Sequence, residues 1–287
     1  MAGYGSLVPE LPEVETVRAR LAPVLEGRRL VHVEISDPRL TRPYDPADIA
    51  RELEGERVLR VERRGKYLIV RFESGRALLI HLRMTGSLRT APAGALPDDP
   101  HRRAVARLDD GSDVAYRDVR RFGTWLLLEP PKVDEYIEAR VGPEPLELSF
   151  RTRDLAASLK TRRAPVKAAI LDQRTVAGVG NIYADEALWR ARIHPLREAR
   201  DLDPDEVKAL HRSIRAALQQ GIARQGSTLR DYALPDGAYG SMQHEFKVYG
   251  RGGEPCDRCG TPIEKIRVAG RGTWYCPSCQ RSPRSKS

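Results

Sequence analysis

Cys256, Cys259, Cys276 and Cys279 are the only cysteines in the 287-residue chain. They form two C-x2-C pairs with sixteen residues between them. Two residues between thiolates let both sulfurs turn onto one ion, and two such pairs complete a tetrahedron. A closed four-sulfur shell marks a structural zinc site, because a catalytic one keeps a position open. Redox dithiols are the competing reading, and they fit less well because the two pairs come together. So short a segment cannot close a core without metal, so Zn2+ would make it a rigid platform for a β-hairpin. Confinement of all cysteines to one cluster argues against the disulfide framework of a secreted chain and for a reduced, cytoplasmic setting. Gly270-Arg271-Gly272-Thr273 lies between the pairs and reads as the hairpin turn. A long cation on a rigid turn suits a phosphate contact, although a merely exposed arginine would look the same.

The charge balance points the same way. Lys and Arg number 49 against 40 Asp and Glu, a net +9. Residues 251–287 alone hold eight basic and three acidic residues, a surplus of +5. Such a surplus suits a polyanion, most often nucleic acid, without choosing among anions. Apolar residues make up 40% and charged residues 31% of the chain, the composition of a globular protein. No apolar run approaches the roughly 20 residues of a membrane span, and the start MAGYGSLVPELPEVE lacks the charged and apolar regions of a secretory signal.

The elements that would position these residues fall into two halves. Pro12 opens a helix in which Val14, Val17 and Leu21 recur at helical spacing, and Glu13 and Glu15 favour its N-terminal dipole. By itself, Pro9-Glu10 reads as a turn before that helix. Residues 30–128 look mostly β: Leu30–Ile35, Tyr67–Phe72, Ala77–Met84, Ala104–Leu108, Val114–Arg117 and Phe122–Leu128 are strand-like. Turn signals at 73–76 and 109–112 pair four of them as hairpins, and the set predicts a β-sandwich. By this reading alone Met84 and Phe122 are core β residues. Glu129-Pro130-Pro131 and Val141–Pro145 read as breaks, after which segments near 151–160, 165–171, 181–192 and 204–220 read as helices. Asp203-Pro204 is a strong helix start. Residues 226–243 form a long Gly, Ser, Tyr and Pro-rich loop, a functional signal in a compact domain, and RSPRSKS at the end reads as a disordered basic tail.

Six motifs occur in order: Pro9-Glu10-Leu11-Pro12-Glu13-Val14-Glu15, Gly65-Lys66-Tyr67, His81-Leu82-Arg83-Met84-Thr85-Gly86, Asp118-Val119-Arg120-Arg121-Phe122-Gly123, Gly178-Val179-Gly180-Asn181-Ile182-Tyr183, and the cysteine finger. Together they resemble the bacterial formamidopyrimidine-DNA glycosylases, over nearly the whole chain from Pro9 to about Gln280. The opening PELPEVE is closer to that family than to its sibling, endonuclease VIII, which favours PEGPE. The resemblance implies an α+β architecture: an N-terminal β-sandwich with a leading helix, a helical helix–two-turn–helix domain, and a C-terminal zinc-finger β-hairpin. The boundaries that follow are a lead segment 1–8, a catalytic domain 9–130, a linker 131–150, a helical domain with the lesion-covering loop 151–245, a zinc finger 246–282 and a basic tail 283–287.

The same resemblance implies a bifunctional DNA glycosylase and abasic-site lyase of base excision repair, acting on 8-oxoguanine and formamidopyrimidines flipped out of damaged double-stranded DNA. Pro9 matches the family's nucleophile, whose free secondary amine attacks C1′ and forms a Schiff base that leads to β- and δ-elimination. Glu10 matches the adjacent acid/base. Lys66, Asn181 and Arg271 match the phosphate contacts that pinch the backbone, Lys66 and Arg271 being counted with the catalytic set. Met84, Arg120 and Phe122 match the residues that fill the space left by the flipped base. His81 reads as structural, and a monomer without membrane association is expected.

One feature departs from the family pattern. Pro9 is internal here, so its nitrogen is a tertiary amide without a lone pair for attack. The expectation is that active protein begins at Pro9, through a start codon at Val8 or removal of a leader. If Pro9 stays internal, the alternative is a catalytically silent protein that binds damaged DNA. A further alternative keeps the mechanism but takes oxidised pyrimidines, as endonuclease VIII does.

Overall fold

In the computed structural model, residues 8–227 and 234–281 are described. The lead segment up to Leu7, the centre of the long loop and the basic tail after Arg281 therefore lie outside the described residues. Helix α1 (Leu11–Leu25) begins with Pro12 in its first turn, where a missing N–H costs nothing. Glu13 Oε2 accepts the Glu10 N–H at 3.0 Å, which satisfies a donor that the helix itself leaves open. Val14, Val17, Leu21 and Leu25 form its buried face.

Eight strands and a short helix follow: β1 (Leu30–Ile35), α2 (Pro46–Leu53), β2 (Val58–Arg64), β3 (Tyr67–Phe72), β4 (Ala77–His81), β5 (Gly86–Pro92), β6 (Arg102–Leu108), β7 (Ser112–Asp118) and β8 (Thr124–Leu128). They make two four-stranded sheets of order β1-β6-β7-β5 and β2-β3-β4-β8. Every pairing within them is antiparallel. Val33, Leu88, Ala106, Val114 and Tyr116 of one sheet share a core with Val61, Leu68, Phe72, Ile80 and Trp125 of the other, and α1 adds its apolar face. The expected sandwich is present.

The rest is α3 (Pro130–Glu138), α4 (Thr152–Lys160), α5 (Val166–Leu171), α6 (Asn181–Ala191) and α7 (Pro204–Ala223), then the hairpin β9 (Glu264–Val268) and β10 (Arg271–Tyr275). At α7, Asp203 Oδ1 accepts the Glu206 N–H at 2.8 Å and Glu206 Oε2 accepts the Asp203 N–H at 2.9 Å, a capping box. The chain divides into two compact units. One runs to Ala139 and includes Gln225–Ser241; the other holds Arg140–Arg224 and everything from Met242. The described ends of the long loop thus group with the sheets and not with the helices that precede it.

The sequence reading places no separate element at α2, β2, β5 or α3, and the other differences are shifts of boundary. β4 stops at His81, before Met84, because the chain turns there with Arg83 at φ 53°. β8 starts at Thr124, which leaves Phe122 in the preceding loop. Pro130-Pro131 starts α3 at the edge of the expected linker, since proline breaks a helix interior yet favours a first turn. α2 follows the same rule: Pro46 sits in its first turn and Asp45 Oδ1 caps it, accepting the Ala47 N–H at 2.7 Å.

Candidate functional site

In the sheet unit, one carboxylate joins the two loops that carry Met84, Arg120 and Phe122. Asp118, at the end of β7, is 1% exposed. Its Oδ1 accepts the Thr85 hydroxyl, its Oδ2 accepts the Gly123 N–H at 2.8 Å, and Thr85 Oγ1 in turn accepts the Arg120 N–H at 3.0 Å. Gly123 has to be glycine, because a Cβ there would stand 1.7 Å from the Tyr116 hydroxyl. Phe122 is 49% exposed, Arg120 is exposed and Met84 is half-buried. The Arg120 guanidinium carbon lies 4.8 Å from the centre of the Phe122 ring. The structure therefore corrects the first reading of Met84 and Phe122 as core residues: Met84 sits in a turn and Phe122 in a loop, both outside the strands.

Pro9 and Glu10 are buried immediately before α1. Lys66 is half-buried on the two-residue turn between β2 and β3. Glu15 of α1 reaches the base of that turn: its Oε2 pairs with Arg63 Nε at 3.0 Å, and Arg63 Nη1 donates to Gly65 O at 3.0 Å. Tyr67 pairs with His81 across β3 and β4, their rings edge to face at 4.8 Å. Burial, aided by the charges of Arg83 and Lys66, pushes the His81 imidazole down to about 3. It is neutral at ordinary pH, and Nδ1 accepts the Arg83 N–H at 3.0 Å. The described ends of the long loop are fastened to the same unit. Glu13 Oε1 accepts both the Ser227 N–H (2.8 Å) and the Ser227 hydroxyl (3.0 Å), and Pro235 O accepts the Thr90 N–H at 3.0 Å.

The helical unit carries the other two expected residues. Asn181 is the first residue of α6, and its Nδ2 donates to Gly272 O at 3.0 Å. Arg271 is exposed directly after the two-residue turn of the hairpin, where Ala269 and Gly270 both have positive φ. That conformation matches the twist of a tight hairpin. Below the turn lies an ion pair. Lys167 Nζ is 2.8 Å from Asp185 Oδ1 and also donates to Gly272 O (3.1 Å) and Thr273 Oγ1 (2.7 Å). Asp185 Oδ2 accepts the Trp274 N–H at 3.0 Å. Both side chains are fully buried, and burial pushes the Asp185 carboxyl up to about 7 against the pull of Lys167.

The four cysteine sulfurs lie within 4.8 Å of one another. Cys259 Sγ is 3.4 Å from Cys276 Sγ and 3.5 Å from Cys279 Sγ. Sulfurs about 2.3 Å from a tetrahedral zinc stand about 3.8 Å apart, so the cluster fits that ion. Trp189 Nε1–H donates to Cys256 Sγ at 3.4 Å, and Gln280 Nε2 donates to Ile193 O at 2.9 Å. Both bonds fasten the cluster to α6 and the turn after it.

Three family models match in chain order. The formamidopyrimidine-DNA glycosylase N-terminal domain matches residues 8–125, its H2TH domain residues 141–233, and the zinc finger found in FPG and IleRS residues 253–281. The chain belongs to the formamidopyrimidine-DNA glycosylase family. A formamidopyrimidine-DNA glycosylase of Roseiflexus is 48% identical over 275 residues, covering 96% of this chain and all of that one. That of Geobacillus kaustophilus is 48% identical over 278 residues, with the same coverage. Among solved structures, the Lactococcus lactis glycosylase bound to DNA with an abasic site superimposes with a TM-score of 0.89 at 39% identity, covering 95% of this chain and all of that one. The L. lactis enzyme bound to DNA with an oxidised pyrimidine gives 0.88 at 39% identity, with 96% and full coverage. As in other formamidopyrimidine-DNA glycosylases, the four cysteines form the ligand set of one structural zinc.

Sequence reading missed the groups that hold these residues in place. Thr85 and Asp118 lie inside recognised motifs but had no role there. Lys167 and Asp185 carried no signal at all, because their pairing depends on how α5 and α6 pack.

Proposed function

We propose that Pro9 is the nucleophile of this glycosylase and that the protein works once the Val8–Pro9 peptide bond is absent. The chain is a DNA glycosylase and abasic-site lyase that repairs oxidised purines. The Pro9 amine attacks C1′ of the damaged nucleotide, the C1′–N bond breaks, and the base leaves with a proton. The sugar ring opens to an iminium, which acts as an electron sink: loss of the C2′ proton expels the 3′ phosphate, and a second elimination expels the 5′ phosphate. Glu10 moves the protons at the sugar. An α-amino group titrates near about 8 and lysine near about 10.4, so a terminal proline is far more nucleophile-ready at neutral pH. The observation that supports this reading is the N-terminal family match over residues 8–125, within which Pro9-Glu10 directly precedes α1.

Lys66 and Arg271 grip phosphates from the turns that present them. The Asn181 amide N–H is engaged by Gly272, so its contact comes through the backbone N–H groups at the start of α6. Met84 and Phe122 enter the base stack, and Arg120 meets the base left without its partner. The partner is damaged double-stranded DNA, bound by a monomer in the cytoplasm, one chain carrying every segment named. A second reading, excision of oxidised pyrimidines, draws on the L. lactis complex.

Borohydride trapping on an 8-oxoguanine:C duplex tests the assignment. Protein beginning at Pro9 is expected to give a covalent adduct at that residue, and the 287-residue form none. A full-length protein of confirmed intact mass that traps equally well would overturn it. Comparing release of 8-oxoguanine with release of thymine glycol separates the two substrate readings.

A further inference from the structure

Arg121 stands between the two side chains assigned to the duplex, and it is bound elsewhere. Its Nε and Nη2 engage Asp37 Oδ2 and Oδ1 at 2.7 and 2.6 Å, the two-pronged geometry that gives arginine–carboxylate pairs their directional strength. Asp37 is 3% exposed, against 36% for the Arg121 side chain. The Arg121 hydrogen bonds hold the Asp37 carboxyl below its ordinary range, so the pair is charged at neutral pH. Arg121 also has φ 59°, a left-handed conformation that a residue with a side chain keeps only when its surroundings over-determine it.

The anchor is itself built in. Asp37 follows β1, and its Oδ1 accepts the Arg39 N–H at 3.0 Å while its backbone oxygen accepts the Leu40 N–H at 3.0 Å. Leu40 O accepts the Trp125 N–H at 2.7 Å, which ties this turn to β8. Arg103 lies 3.9 Å from Asp37 and donates from Nε to Asp118 O at 3.0 Å. The loop 119–122 therefore has four fixed points, one of them the Arg120 N–H on Thr85 Oγ1. Asp118 and Gly123 close its ends, and Asp37 holds its middle through Arg121. With Arg121 drawn toward Asp37, its neighbours Arg120 and Phe122 are both left exposed.

We propose that Asp37 is a positioning residue that, through Arg121, sets the direction of Arg120 and Phe122 and thereby this enzyme's discrimination of the base opposite the lesion. The inference rests on the reading of Arg120 as the group that meets the partner base.

The test uses zinc-loaded protein with a free Pro9. Asp37→Asn keeps an acceptor for the Arg39 N–H and removes the charge and the two-pronged grip. Single-turnover release of 8-oxoguanine is measured opposite C and opposite A, beside borohydride trapping on a preformed abasic site. Asp37→Asn is expected to lower the C:A rate ratio about fivefold or more while trapping stays within about twofold, and Arg121→Ala to do the same with no further loss in the double variant. Arg120→Ala is the control for the parent reading. An unchanged ratio in both Asp37→Asn and Arg121→Ala, with a reduced one in Arg120→Ala, overturns the role of Asp37 and leaves the parent reading standing. An unchanged ratio in Arg120→Ala overturns both. Should Asp37→Asn fail to fold, Arg121→Ala decides, because its side chain lies partly in solvent.

Discussion

Burial decides the chemistry of His81. Nothing in its residue type separates it from a general base, and it lies within reach of the charges of Arg83 and Lys66. Enclosure in the sheet holds its pKa near 3, so the imidazole accepts a backbone N–H and takes no proton between pH 5 and 8. In the unfolded chain it protonates near about 6.5. Its contribution to stability is therefore complete above that value and is lost as pH falls from about 6.5 toward 3, by an amount on the order of several kcal/mol. The expected outcome is a His81 ring resonance that does not move between pH 8 and 5 in an NMR titration. A shift with a midpoint near 6 would mean that the ring is open to water, and would return His81 to the set of possible proton carriers.

At the scale of elements, α6 bears several duties. Its first residue meets the hairpin through Gly272, Asp185 in its middle holds Lys167 and the Trp274 N–H, and Trp189 near its end reaches Cys256. The Lys167–Asp185 pair is buried and surrounded by hydrogen bonds, the setting in which removing one partner is costly. Without the ammonium, the Asp185 carboxyl keeps its proton in the fold well above the value of about 3.9 at which it ionises in the unfolded chain. The stability of Lys167→Met should therefore fall as pH rises, opposite to the acid loss of an ordinary carboxylate pair. A deficit of about 3 kcal/mol or more at pH 8, shrinking toward pH 5, is expected from denaturant titrations at the two values. A deficit independent of pH would show that the loss is one of packing alone.

For the whole molecule, the zinc finger stands out as a part with a small core. Among the described residues, Trp189, Val248, Ile263 and Trp274 pack with the cysteines in one apolar cluster. A module so small depends on its metal for folding, and with it goes the turn that presents Arg271. Chelation of zinc should abolish binding to damaged duplex while the β-sandwich persists. Circular dichroism, followed beside a DNA mobility assay, checks this: retained β signal with lost binding is expected, and binding that survives verified zinc loss would remove the hairpin from the interface.

The sequence by itself determined most of the elements and the metal. Hydrophobic period, turn residues and proline-led helix starts are local, so α1, the Tyr67–Phe72 strand, the two hairpins and the start of α7 were legible, and cysteine spacing alone fixes how thiolates can share one ion. Family resemblance named Pro9, Glu10, Lys66, Met84, Arg120, Phe122, Asn181 and Arg271. Only the tertiary structure decided what holds them. Asp118 bridges loops from two ends of the chain segment, Asp37 grips Arg121 from 84 residues away, and Lys167 meets Asp185 from another helix. Such contacts leave no periodic trace, because each depends on side chains that sequence order keeps apart and that burial alone makes strong. The exposure of Phe122 and the neutrality of His81 belong to the same class. Both follow from where water is excluded, which is a property of the packed sheets and of no single residue.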